Sequence, residues 1–221
     1  MMRSPRVVWV EEQIRQRYHQ ADILDVGFVG PHEEPALHKS IRSQNPTARV
    51  VGVDINCEGV YRNHLANTIV ADAATLPFTD ASFDCVLFLE IMEHVFNPYT
   101  MLREFARVLR PTGSLILTTP NAWEWWRVTK YWLSGRLQAK CNIRVSRKYL
   151  GSPHHLLFYD PLSLINILYG CGFQTQHIAT KNHTIPFLGK YVRRFSLFNL
   201  QFYPMNRLGG YTCLVCTKRD E

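Results

Sequence analysis

The chain has 221 residues, 46% of them hydrophobic and 19% charged, with a formal net charge of +7, a globular balance that excludes a disordered or fibrous polypeptide. No run of about 18 apolar residues occurs, which argues against a membrane-spanning helix, and the start, Met1-Met2-Arg3-Ser4-Pro5-Arg6, leads into Glu11-Glu12 instead of an apolar stretch, so no secretory signal is expected. The charge is uneven: residues 1–124 hold 11 Lys/Arg against 15 Asp/Glu, whereas residues 125–219 hold 14 Lys/Arg against Asp160 alone, a one-signed field that should attract an anionic partner.

In chain order, Trp9/Val10, Ile14 and Tyr18 recur at helical spacing and predict a leading amphipathic helix within residues 1–20. Short apolar strands then alternate with helical patterns. Ile23–Gly27 reads as a first strand, Ala36–Ser43 as a helix and Arg49–Asp54 as a second strand. Residues 57–65 form a weak helix and Thr68–Ala71 a third strand. Phe83–Leu89 is a strong buried strand. Pro98–Leu109 is a helix with Met101, Leu102, Phe105, Val108 and Leu109 on one face. Arg110-Pro-Thr-Gly113 stops it, and Ser114–Thr119 is a fifth strand. Past Pro120 the rhythm breaks: four of the five tryptophans fall within Trp123–Trp132, interleaved with Arg127 and Lys130. Regular structure returns with a helix over 161–170 and strands at Phe173–Thr180 and Tyr211–Thr217. This order predicts an α/β chain: one Rossmann-like domain over 1–221, a mostly parallel seven-stranded sheet flanked by helices, with an aromatic-basic insertion after the fifth strand.

The six cysteines are scattered and read as buried thiols of a reducing compartment. Cys213 and Cys216 form the one CxxC, but residues three apart on a strand point to opposite faces, so a shared metal is not expected. No His/Asp/Glu cluster at metal spacing appears, and no metal site is expected.

In a doubly wound sheet, ligands bind beyond the carboxyl ends of the strands. The first strand ends in Asp25-Val-Gly-Phe-Val-Gly30, where Gly27 and Gly30 let the backbone turn close to a ligand. The second ends in Asp54, followed by Ile55; an acid there can accept both ribose hydroxyls of an adenosine. Asp72, in the loop after the third strand, suits an exocyclic amine, and Leu76-Pro77-Phe78 offers apolar cover for a flat base.

Several stretches together resemble one family. Residues 72–86 (Asp-Ala-Ala-Thr-Leu-Pro-Phe-Thr-Asp-Ala-Ser-Phe-Asp-Cys-Val), Glu90-Ile-Met-Glu-His-Val95, Phe105–Gly113, Thr118-Thr-Pro-Asn121 and the run from His155 to Leu164 continuing to Gly172-Phe173 are similar to the motifs of class I S-adenosylmethionine-dependent methyltransferases, in particular the ubiquinone-pathway O-methyltransferase subgroup. The resemblance implies S-adenosylmethionine as cofactor and S-adenosylhomocysteine as product. It implies that Asp25 and Gly27 shape the methionine end of the pocket, Asp54 holds the ribose, Asp72 with the Ala73 backbone reads the adenine, and the Leu89 backbone near Glu90 faces the amino group. One departure stands out: Val29 occupies the position of the middle glycine of G-x-G-x-G. A β-branched residue cannot take positive φ cheaply, so a reshaped turn is expected, with Gly30 as substitute.

For a hydroxyl acceptor a general base would add roughly 10²–10⁴-fold, and His94, His154, His155 and Glu90 are the candidates. Residues 122–153 and 181–210 are expected to form acceptor-side insertions. Their composition fits a small-molecule or lipid-linked acceptor, an anionic one included, or an anionic membrane surface; the lack of an Asn/Asp-Pro-Pro-Tyr motif argues against nucleic acid. A cytoplasmic enzyme is the expectation, with peripheral membrane association left open. Two alternatives stay open: a nicotinamide-dependent oxidoreductase, and a cofactor-binding module without catalysis.

Overall fold

A computed structural model of the chain describes residues 4–29, 35–124, 128, 157–181 and 208–219. Gly30, His154 and His155, and nearly all of the two expected insertions, lie outside the described residues.

The elements follow the predicted order: α1 Pro5–Arg17, β1 Asp22–Val26, α2 Ala36–Gln44, β2 Arg49–Asp54, α3 Cys57–Asn63, β3 Thr68–Val70, β4 Phe83–Leu89, a 3-10 turn Met92–His94, α4 Pro98–Val108, β5 Leu109–Pro120, α5 Pro161–Gly170, β6 Phe173–Lys181 and β7 Tyr211–Lys218. The seven strands form one sheet in the order β3-β2-β1-β4-β5-β7-β6. β1 to β5 are mutually parallel, and β7 runs antiparallel to both β5 and β6. The strand order reverses between β1 and β4, and a crevice opens there at the carboxyl edge.

Period-two alternation sorts the strand residues into two cores. Leu24, Val86, Phe88, Leu115, Leu117, Leu214 and Cys216 join Leu102, Phe105 and Val108 of α4 and Leu164 and Leu168 of α5 on one face. Ile23, Cys85, Leu87, Ile116, Cys213 and Val215 join Trp9, Val10 and Ile14 of α1 and Ile41 of α2 on the other. Cys213 and Cys216 therefore point to opposite faces, both fully buried. Asp25 shares the parity of Ile23 and so faces the α1/α2 layer.

Most boundaries shift by one or two residues from expectation, and two differ by more. β5 begins at Leu109, directly after α4, because Leu109 pairs with Phe83 and a register irregularity carries the strand on to Ser114 opposite Cys85; Arg110–Gly113 is part of the strand and not a free stop. α1 begins at Pro5, four residues before the first residue of its apolar pattern, with Ser4 as N-cap and proline in the first turn. Among the described residues no helix is long and apolar enough to cross a membrane.

The loop that carries Asp72 is tied to α4. Arg107 donates to the carbonyls of Leu76 (3.1 Å) and Phe78 (2.8 Å) and to the Asp80 carboxylate (2.8 Å), while Glu104 accepts from the Leu76 N–H at 3.0 Å. The Arg-Val-Leu stretch thus holds the Leu-Pro-Phe loop in place. Asp84 does its work at the opposite edge, where it accepts from the Asp22 N–H at 2.8 Å and pairs with Arg110.

Candidate functional site

A cavity of about 700 Å³ opens at the carboxyl ends of β1, β2 and β4. Asp25, Gly27, Asp54, Ile55, Asp72, Ala73, Leu89 and Glu90 all line it, and of the histidine candidates so does His94. Arg6, His38, Ile91, Glu93 and Met101 complete much of the wall.

Each strand end is fixed by backbone bonds. Gly27 takes φ +67° and donates its N–H to the Val53 carbonyl at 2.7 Å, which closes the turn after β1 onto β2. Val29 does not take positive φ, so the expected penalty for a β-branched residue there does not arise. Its side chain is buried with Phe28 and Val60, and its N–H donates to Asp54 Oδ2 at 3.0 Å. Asp54 Oδ1 accepts from the Asn56 N–H at 2.9 Å, so that carboxylate is locked facing the cavity from both sides. Asp72 is exposed, and its Oδ1 accepts from the Ala74 N–H at 2.8 Å. Glu90 holds φ +60°, a strained value for a non-glycine residue, with its N–H bonded to the Thr118 carbonyl at 2.8 Å.

Electrostatically the wall is acidic. Asp25, Asp54, Asp72, Glu90 and Glu93 face a single guanidinium, that of Arg6, among the described lining residues. Arg6 reaches from α1 to Glu90 Oε1 (3.3 Å) and lies over the Tyr211 ring at 5.1 Å. Burial, opposed by Arg6 and reinforced by the neighbouring Glu93 charge, pushes the Glu90 carboxyl up to about 7. Burial also raises Glu93, which is 1% exposed; its Oε2 accepts from Thr119 Oγ1 at 3.0 Å. Glu93 Oε1 and the Tyr159 hydroxyl, both buried, have no hydrogen-bond partner among the described residues.

The raised Glu90 has a measurable consequence. Folded, it keeps its proton up to about pH 7, whereas an unfolded glutamate releases it near 4.5. Between those values the folded state binds more protons, so this contribution is fully present below pH 4.5 and is lost as pH rises through 7; its size is up to about 3 kcal/mol. Thermal unfolding followed from acid to neutral pH is expected to give a downward slope that is shallower in Glu90→Gln. Superimposable curves would remove Glu90 as its source.

Sequence reasoning missed Arg6 and His38 as cavity residues. Ser4-Pro5, an N-cap and first-turn proline, was the available signal that α1 begins early enough to bring Arg6 over the cavity. Among the described residues no group of three or more His, Cys, Asp or Glu could hold a metal ion.

Comparison with known proteins bears on the fold and the family. A family profile described as a methyltransferase domain matches residues 24–117. A ubiquinone biosynthesis O-methyltransferase from Maricaulis maris is 35% identical over 86 residues, 39% of this chain and 30% of that protein. The chain spans only about a third of the length of the curated relatives it matches first. A methyltransferase structure from Methanosarcina mazei superposes with a TM-score of 0.62 at 17% identity, covering 92% of this chain and 94% of that one. The 1,6-didemethyltoxoflavin-N1-methyltransferase of Burkholderia thailandensis, crystallised with S-adenosylhomocysteine, gives a TM-score of 0.59 at 14% identity over 98% of this chain and 80% of its own.

Proposed function

We propose that this chain, a class I S-adenosylmethionine-dependent methyltransferase by its family match and its sheet, transfers the methyl group of S-adenosylmethionine to a hydroxyl or amine of a small-molecule, lipid-linked or glycan-precursor acceptor. One observation carries the reading: five acidic side chains and one guanidinium line the cavity, an acidic wall even with Glu90 holding its proton up to about pH 7. The donor brings a sulfonium and an ammonium against one carboxylate, so its charge complements that wall. A nicotinamide dinucleotide would bring an anionic pyrophosphate to the same carboxylates, an arrangement that costs binding energy.

The residues divide the ligand between them. Asp54, held by the Val29 and Asn56 N–H groups, retains lone pairs for the ribose hydroxyls. Asp72 takes the exocyclic amine, with Ala73 and Ile55 along the base. Gly27 admits the methionine end, the Leu89 backbone and Asp25 take its ammonium, and Arg6 takes its carboxylate. The sulfonium supplies an already activated methyl group. The protein's part is alignment and exclusion of water, and the wall from Glu90 to His94 with Met101 is left for the acceptor. His94 and Glu93 stand there as proton acceptors for a hydroxyl nucleophile, and His154 and His155 remain candidates from the acceptor side. The 14 Lys/Arg of residues 125–219 favour an anionic acceptor or an anionic membrane surface.

Isothermal titration with S-adenosylhomocysteine and with NAD tests the reading. Binding of the first in the micromolar range and none of the second is expected. A chain that takes up NAD and not S-adenosylhomocysteine, or neither ligand, ends it.

A further inference from the structure

The acid at the end of β1 is not a lone carboxylate. His38 on α2 places Nδ1 2.9 Å from Asp25 Oδ2, with 0% of the histidine and 4% of the aspartate exposed. Against an ionised carboxylate, which only accepts, the ring must carry its proton on Nδ1. Nε2 of His38 is buried and has no hydrogen-bond partner among the described residues. The ring packs against Phe28 at a centroid distance of 4.8 Å, and Phe28 in turn fills the space beside Gly52, where a Cβ would come within 2.8 Å of it. Gly52, Phe28, His38 and Asp25 are thus stacked beneath the turn that lacks the family's middle glycine.

We propose that His38 is a positioning residue for donor binding: by occupying Oδ2 of Asp25 it leaves Oδ1 as the oxygen offered to the ammonium of the donor's methionine end. This rests on the donor-binding reading above. Neither residue could do it alone. A buried carboxylate with no partner would tend to neutralise, since burial already raises the Asp25 pKa while the His38 bond opposes that rise. Without His38 the carboxyl would also be free to rotate, and its fixed orientation toward the ligand would be lost.

The test separates the two ends of the ligand. S-adenosylhomocysteine carries the ammonium; 5′-methylthioadenosine has the same nucleoside and thioether but no amino-acid portion. His38→Leu removes the donor while keeping apolar volume, and His38→Asn keeps a nitrogen donor near the position of Nδ1. By titration calorimetry His38→Leu is expected to weaken S-adenosylhomocysteine at least about tenfold, the loss of one charge-assisted hydrogen bond, and to leave 5′-methylthioadenosine within about twofold. His38→Asn is expected to recover most of the loss. Asp25→Asn, nearly isosteric, should reproduce the same selective defect and serves if the leucine variant does not fold. Equal weakening of both ligands by His38→Leu would reduce His38 to a packing residue. Full S-adenosylhomocysteine affinity in either variant would overturn the proposal. If the wild type binds 5′-methylthioadenosine alone, the ammonium subsite is wrong while the adenosine subsite stands; if it binds neither, the donor reading itself fails.

Discussion

Asp54→Ala is expected to lower the affinity for S-adenosylhomocysteine by about 100-fold to 10,000-fold, from the loss of two hydrogen bonds to a charged acceptor at roughly 1.5–3 kcal/mol each. The carboxylate sits at the end of β2 and lines the cavity. Its orientation is fixed from both sides, by Val29 N–H on Oδ2 and Asn56 N–H on Oδ1. Alanine therefore removes the proposed ribose partner and at the same time loosens the turn after β1, because the Val29 N–H loses its acceptor. Folding should survive, since Asp54 belongs to neither of the two large cores. Titration calorimetry checks the affinity and thermal unfolding checks the fold. Asp54→Asn, which keeps a carbonyl acceptor without the charge, should fall between. Unchanged affinity in a folded Asp54→Ala would show that the ribose is held elsewhere and would dismantle the assignment of the cavity.

The strands and the acids at their ends were legible because the physics that makes them is local. A parallel strand buried on both faces reads as a continuous apolar run, as Phe83–Leu89 does, and the acid that follows such a run falls at the carboxyl edge without further assumption. Asp54, at the end of the buried β2, could be placed on that ground alone; β3 is a half-exposed edge strand, and Asp72 was placed through the motif resemblance of residues 72–86. What escaped depends on contacts between distant parts of the chain. His38 and Ile41 are the two buried residues of α2 and lie at i, i+3, so the helical period marks His38 as inward-facing, yet nothing in the sequence pairs it with Asp25. Glu90 takes φ +60° with no glycine to announce it; the β4–β5 pairing, through the Glu90 N–H and the Thr118 carbonyl, imposes it. Val29 shows the reverse error. The expected strain rested on a family glycine, but the turn here gives position 29 an ordinary φ and uses its side chain as core against Val60 and Gly59, where a Cβ on Gly59 would meet Val29 Cγ1 at 2.5 Å.

That contrast sharpens the second large effect. Of the turn's residues described by the structure, Gly27 is the one whose conformation demands glycine, and Gly27→Val is expected to eliminate detectable S-adenosylhomocysteine binding and to lower stability by about 2–4 kcal/mol. A β-branched residue at φ +67° lies outside the allowed basins, at a cost on the order of 1–3 kcal/mol. The first added carbon already stands 2.3 Å from Ile91 Cδ1 and 3.0 Å from Cγ1, and Ile91 lines the cavity. Ile91 can rotate away from a single methyl, so Gly27→Ala should retain weakened binding. The two further methyls of valine leave Ile91 no such escape and push side-chain volume into the space proposed for the methionine end. The Gly27 N–H bond to Val53 would strain with the turn, which carries the defect across to β2 and Asp54. Titration of both variants against S-adenosylhomocysteine, with chemical denaturation alongside, should therefore rank wild type, alanine and valine in that order for both affinity and stability. A valine variant that binds as the wild type does would mean that the ligand does not approach this turn.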